Sequence, residues 1–299
     1  MNETIKQLAL IGPTASGKTA LSIELAQKTD AYILSLDSLA IYKEVDIVSA
    51  KPTREERGGI RHFGMDHLCP DEPFDVTTFI RLYQKVKQEA LTDKKNLIIV
   101  GGTSFYLKML MDGISELPAM SEETLSHTKE SLKDLQKSYE MLEKIDPDHM
   151  KQIAKSDRYR IEKALNLYFE TGLTPTAYFN ANPPLPLIEG ALPVYQIIMD
   201  REELRRRIAL RTRLMLTEGL IDEVCMLEKR YTRAPNCMKS IGIKETLAYL
   251  DGVYDKKTLA EKITTNTARL AKRQTTFNNS QFEGVIKGSV GELKRLLCE

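Results

Sequence analysis

Five residues, Gln7 to Ile11 (QLALI), lead directly into Gly12-Pro-Thr-Ala-Ser-Gly17-Lys18-Thr19, and the helix-prone stretch Ala20 to Gln27 follows. The loop fits G-x-x-x-x-G-K-[ST]. A buried strand, a glycine-rich turn and a helix in this order aim the turn's N–H groups and the helix N-terminus at one point. Such a loop cradles a di- or triphosphate, with Lys18 neutralising charge and the Thr19 hydroxyl available to Mg²⁺. A chance match would lack the strand before it and the helix after it. The motif specifies phosphate binding and leaves open whether phosphate is transferred or only departs.

The pattern continues as alternating strands and helices. Ala31 to Leu36 (AYILSL) reads as a second strand ending at Asp37, and Leu97 to Val100 (LIIV) as a third ending in Gly101-Gly102. Between them Asp75 can cap a helix whose apolar stripe is Phe79, Tyr83, Val86 and Ala90, spaced four, three and four. Strands alternating with helices predict an α/β fold, a P-loop core with a parallel sheet flanked by helices. From about Ile114 the pattern turns to helices alone. Ser121 to Lys144 is charged and helix-prone, Asp146-Pro147 breaks it, Asp157 to Glu170 forms another helix, and the proline-rich Asn180 to Pro193 has a linker composition. This predicts a core from 1–113 and 194–299 and a helical insertion domain over 114–193. Val194 to Met199 (VYQIIM) resumes as a strand, and the remainder reads as mostly helical.

Composition narrows the class of protein. Hydrophobic residues are 42% and charged residues 28%, ordinary for a soluble globular chain. No apolar run approaches the roughly 20 residues of a membrane span, so no membrane partner is expected. The apolar Leu8 to Ile11 is too short for a signal-peptide core, which predicts a cytoplasmic protein. Cys69, Cys225, Cys237 and Cys298 are scattered without a C-x-x-C pair, which argues for reduced thiols. Nothing demands a dimer, and a monomer is expected. Net charge is +1, but residues 1–195 hold 23 Lys+Arg against 28 Asp+Glu and residues 196–299 hold 20 against 14, so −5 and +6. A basic last third suits a polyanionic partner or a merely solvated face.

Four further features carry candidate chemistry. Asp37 ends a strand, at the edge where open α/β sheets place their ligands; a helix cap or a Mg²⁺-holding carboxylate would look the same. Gly101-Gly102-Thr103 ends another strand and can approach the same crevice, or serve only as a tight turn. In the predicted helix Asp200 to Leu216, Arg211 falls on the apolar stripe of Leu204, Ile208 and Met215. A guanidinium there requires an anionic partner, either a diphosphate or a buried carboxylate. The stretch Ala271-Lys-Arg-Gln-Thr-Thr-Phe277 mixes cations, amides and an aromatic ring, which suits phosphate contacts and base stacking or a solvated helix end.

Together these residues resemble the tRNA dimethylallyltransferase (tRNA isopentenyltransferase) family. The matching blocks are GPTASGKT (12–19), DSLAIYKEVDIVSAKP (37–52), GGTSFY (101–106), RIALRTRLMLTEGLIDEV (207–224), SIGIKE (240–245) and LAKRQTTF (270–277), in the family's order across nearly the whole chain. The resemblance implies transfer of a dimethylallyl group from dimethylallyl diphosphate to N6 of the tRNA adenosine immediately 3′ of the anticodon. Mg²⁺ would be the cofactor, and the helical insertion would help grip the anticodon stem-loop. It implies Asp37 as general base with Thr103 and Arg211 as further catalytic residues. Gly12, Thr14, Ala15, Ser16, Gly17, Lys18 and Thr19 would bind diphosphate, with Thr19 on the metal. The tRNA would meet Asp37, Ser38, Leu39, Ala40, Thr103, Tyr159, Arg160, Ile161, Glu162, Lys163, Lys239, Lys244, Lys272, Arg273, Gln274 and Phe277. Lys239 and Lys244 stand where the family often has arginine, and Phe277 where it commonly has tryptophan. Two other readings share the loop: an isopentenyltransferase acting on free AMP, ADP or ATP, and a P-loop kinase or nucleotide-regulated RNA-binding protein.

Overall fold

Each apolar run identified above becomes a strand of one parallel sheet in the computed structural model, which describes residues 5–298. In chain order the strands are β1 (Gln7–Ile11), β2 (Ala31–Ser35), β3 (His62–Phe63), β4 (Asn96–Gly101), β5 (Val194–Ile197) and β6 (Ile286–Gly288). Their spatial order is β3-β2-β4-β1-β5-β6, and every pairing is parallel. All carboxyl ends therefore share one edge. The chain leaves β1 toward β2, whereas it leaves the neighbouring β4 toward β5. Those opposite departures make the β1/β4 boundary the switch point, where an open α/β sheet has its crevice.

Burial explains why these runs pair. Leu10, Ile33, Ile98, Val100 and Ile197 pack with Leu21, Leu25 and Ala26 of the helix Lys18–Thr29 and Leu293 of the helix Val290–Cys298. The helix Val76–Thr92 buries Phe79, Tyr83, Val86 and Ala90 as its spacing predicts, and Asp75 caps it by accepting from the Thr78 N–H at 2.8 Å. The edge strands β3 and β6 are not legible in the sequence. They are two and three residues long and mostly unburied, so neither carries an apolar run.

By contacts the chain falls into two units, one running to Met109 and resuming at Ile188, the other Leu110–Leu187; the sequence boundaries were 113/114 and 193/194. The second unit packs Leu132, Tyr139, Leu142, Met150, Ile161 and Leu165 into its own core. Ser121 to Lys144 is two helices, Glu122–Ser131 and Leu135–Ile145, each with its own N-cap, Ser121 and Asp134. The expected linker is partly structured as well. Thr174 caps a short helix Pro175–Ala181 that takes in Asn180, and Leu185 bridges Ile114 in antiparallel fashion. Among the described residues no helix is long and apolar enough to cross a membrane, and no disulfide joins the cysteines.

Candidate active site

The loop after β1 runs into a helix whose N-terminus has no side-chain cap. The loop's last residue, Gly17, caps the helix Lys18–Thr29 with φ at 93° and supplies no side-chain cap, so the first-turn amides are left for an anion. Ala15 also holds a left-handed φ of 63°, which is rare for a residue with a side chain. Ser16 is fully buried with its hydroxyl unpaired. Lys18 curls back over the loop and donates from Nζ to the Pro13 carbonyl at 2.6 Å.

Arg211 arrives from the helix Arg201–Glu218, on the face that buries Ile208, Thr212 and Met215, as the stripe predicts. It donates from Nη1 to Thr14 Oγ1 at 3.3 Å and from Nη2 to the Ser49 carbonyl at 3.1 Å. Among the described residues no carboxylate bonds it directly. Burial pushes the guanidinium down from its ordinary value, and the Asp37 charge opposes that only in part. Lys18 is more perturbed. Enclosure of its ammonium, reinforced by the Arg211 charge, pushes it down to about 7, again against Asp37. Two cations thus converge at an uncapped helix N-terminus with one carboxylate to balance them, an arrangement short of negative charge.

Asp37 follows β2 and is locally anchored. Its Oδ1 accepts from the Leu39 and Ala40 N–H groups at 2.8 and 3.1 Å, while Oδ2 has no hydrogen bond among the described residues. One oxygen sets the orientation and the other stays available as an acceptor. Thr103 follows β4 and opens the helix Ser104–Asp112, its carbonyl accepting from the Tyr106 N–H at 3.2 Å. Gly101 is needed for close approach, since a Cβ there would lie 2.6 Å from the Leu36 Cβ.

The remaining sequence candidates divide by exposure. Ser38, Lys239, Lys244, Lys272 and Arg273 are exposed, Leu39, Gln274 and Phe277 are half-buried, and Ala40 is buried. In the helical unit Tyr159, Arg160 and Lys163 are exposed, with Lys163 over the Tyr159 ring at 5.4 Å, and Glu162 is partly buried. Ile161 differs from the expectation. It is 0% exposed in the helical core, so its side chain is committed to packing.

Two contributors were missed. Ser49 offers Arg211 a backbone carbonyl, which no residue type signals. Glu223 is buried on the helix Leu220–Tyr231 and accepts from the N–H groups of Asp46, Ile47 and Val48 at 2.9, 2.7 and 3.0 Å. It thereby fixes the segment that presents the Ser49 carbonyl. Its signal was present: Glu223 lies three residues after Leu220 on an apolar stripe, the pattern that identified Arg211.

A glycine-rich loop before a helix, at the switch point of a parallel sheet, defines a P-loop α/β protein. Within that class the IPP transferase family model matches residues 40–281. A tRNA dimethylallyltransferase of Sulfurovum sp. (strain NBC37-1) is 68% identical over 299 residues, covering 100% of this chain and 99% of that protein. Among solved structures, a tRNA delta(2)-isopentenylpyrophosphate transferase from Staphylococcus epidermidis superposes with a TM-score of 0.69 at 30% identity, over 99% of this chain and 97% of that one. A eukaryotic dimethylallyltransferase acting on tRNA gives 0.81 at 27% identity, over 91% of this chain and 70% of that one. The chain belongs to the tRNA dimethylallyltransferase (IPP transferase) family of prenyl-transferring enzymes.

Proposed function

We propose that the enzyme transfers the dimethylallyl group of dimethylallyl diphosphate to N6 of the adenosine 3′-adjacent to the anticodon in tRNA, giving N6-(dimethylallyl)adenosine and diphosphate. The observation that carries this reading is the convergence of Lys18 and Arg211, under-compensated by Asp37, on the uncapped start of the helix after the loop. Diphosphate supplies the missing negative charge. As the allylic C–O bond breaks, its electron pair passes to the leaving diphosphate, where the loop amides, Lys18 and Arg211 stabilise it. The adenosine N6 forms the new C–N bond to the same carbon, and Asp37 Oδ2 takes the proton that N6 releases. For this the base must leave its stack, as in other enzymes that act on nucleobases.

Mg²⁺ fits as a metal held mostly by the ligand. Thr19 presents an exposed hydroxyl at the helix start, and among the described residues no group of three or more His, Cys, Asp or Glu forms a protein-only cage. Mg²⁺ usually takes one or two protein ligands, phosphate oxygens and water. Thr19 would hold it, and it would neutralise charge on the departing diphosphate. Exposed Tyr159, Arg160 and Lys163 on the helical unit, and Lys239, Lys244, Lys272 and Arg273 on the other, would serve the RNA. We take the enzyme to work as a cytoplasmic monomer.

Incubation with dimethylallyl diphosphate and either tRNA or AMP, with prenyl incorporation followed by mass spectrometry, tests the reading. Incorporation into tRNA adenosine is expected. Transfer to AMP alone would make it a free-nucleotide isopentenyltransferase, and ATP-dependent phosphorylation without prenyl transfer would make it a kinase.

A further inference from the structure

Gln274 belongs to the LAKRQTTF segment, where the resemblance gives it to tRNA together with Lys272, Arg273 and Phe277, and its neighbours Lys272 and Arg273 are exposed as that role requires. The Gln274 side chain is turned away from that task. Its Oε1 accepts from the Thr14 N–H at 2.9 Å, 260 residues away in sequence. Its Nε2 lies against the backbone of Gly102, where a Cβ would stand only 2.4 Å from it. One amide therefore touches the loop after β1 and the loop after β4, on either side of the switch point. Thr14, the residue it holds, is also the one whose hydroxyl receives Arg211.

From this contact set, and resting on the leaving-group role proposed above, we propose that Gln274 is a positioning residue of the diphosphate site. It holds the phosphate loop in register with Arg211 and does not read the RNA. The loop needs such a tie, because Gly12, Ala15 and Gly17 all hold positive φ and the free loop has many other conformations to visit. An amide suits the position. Its oxygen pairs the Thr14 N–H while its nitrogen end fills the space that Gly102 leaves. A carboxylate would keep the acceptor but set a negative charge beside the diphosphate. Gly102 itself has no left-handed φ, so alanine is compatible with its backbone and would act only by displacing the Gln274 amide.

Steady-state transfer and tRNA binding by the full chain separate the alternatives. Gln274→Ala is expected to raise KM for dimethylallyl diphosphate about ten-fold, the size of one lost charge-positioning hydrogen bond, and to leave the Kd for tRNA within about two-fold. Gln274→Glu should raise that KM further. Gly102→Ala should raise KM in the wild-type background and have no further effect in Gln274→Ala, because the group it displaces is already gone. An unchanged or lowered KM in Gln274→Ala overturns the proposal, as does a large loss of tRNA affinity with KM unmoved. Titration of inorganic diphosphate into wild type and Gln274→Ala reads the same role without turnover. A wild type that transfers nothing to tRNA, paired with a Gln274→Ala variant that still loses diphosphate affinity, would defeat the proposed function and leave this role standing.

Discussion

Asp146 in the helical unit and the Lys18–Arg211 pair in the core unit carry enclosed charge in opposite ways. In the helical unit Asp146 is 4% exposed and its carboxylate is filled by protein donors. Oδ1 accepts from the His149 N–H at 3.3 Å and the Thr176 hydroxyl at 2.7 Å, and Oδ2 from the Thr176 N–H at 2.7 Å. Burial pushes this carboxyl up, but the bonds from Thr176 and His149 outweigh it and hold the group below its ordinary range. In the core unit burial wins instead. Lys18 and Arg211 are both pushed down, with only Asp37 in opposition. A buried charge whose hydrogen-bonding capacity is met by protein is structural. A pair of half-buried cations sharing one carboxylate is short of counter-charge, as a site for an anionic ligand would be.

That contrast can be broken in four ways, the largest effect first. Asp37→Ala removes the proposed base and should lower kcat by about 10²–10⁴-fold with tRNA affinity nearly unchanged, measured by single-turnover transfer and filter binding. Arg211→Met keeps much of the side-chain bulk and removes the charge. It should lower kcat/KM for dimethylallyl diphosphate by about 10²–10³-fold while the ligand-free protein stays close to wild type in unfolding midpoint. Asp146→Ala should do the reverse, costing about 2–3 kcal/mol in denaturant unfolding and leaving KM for the diphosphate substrate alone.

The smallest effect is a pH dependence. Because the folded Asp146 carboxyl lies below its unfolded value of 3.8, it contributes stability that is fully present above that value. The contribution fades as pH falls through the lowered folded value. The stability difference between wild type and Asp146→Asn should therefore be flat from neutral pH to about pH 5 and shrink below 3.8. A difference that grew on acidification would remove Asp146 from the structural class.

The same contrast explains what the sequence could reveal. Arg211 was legible because a charge on an apolar stripe violates helical patterning, and Glu223 violates it in the same way. The loop after β1 was legible because strand, glycines and helix are contiguous. Asp146 reads in sequence as half of a helix-breaking Asp-Pro pair, and its bonds to Thr176 span 30 residues with no local trace. Gln274 on Thr14 and Arg211 on the Ser49 carbonyl join positions 260 and 162 residues apart, and the latter acceptor is backbone. Periodicity placed the helix of residues 158–171 but not each residue's share in function: Tyr159 faces solvent while Ile161, two positions on, is core. Strands β3 and β6 were beyond reach because edge strands this short are specified by their neighbour and not by their own residues.

Titration of inorganic diphosphate into the wild-type protein and Arg211→Met, with and without Mg²⁺, tests most directly whether the Lys18–Arg211 pair is an anion site awaiting its ligand. Saturable binding that raises the wild-type unfolding midpoint, together with a loss of about ten-fold or more in affinity in the variant, is the expected result. Equal binding by the two proteins, or none by the wild type, would contradict it.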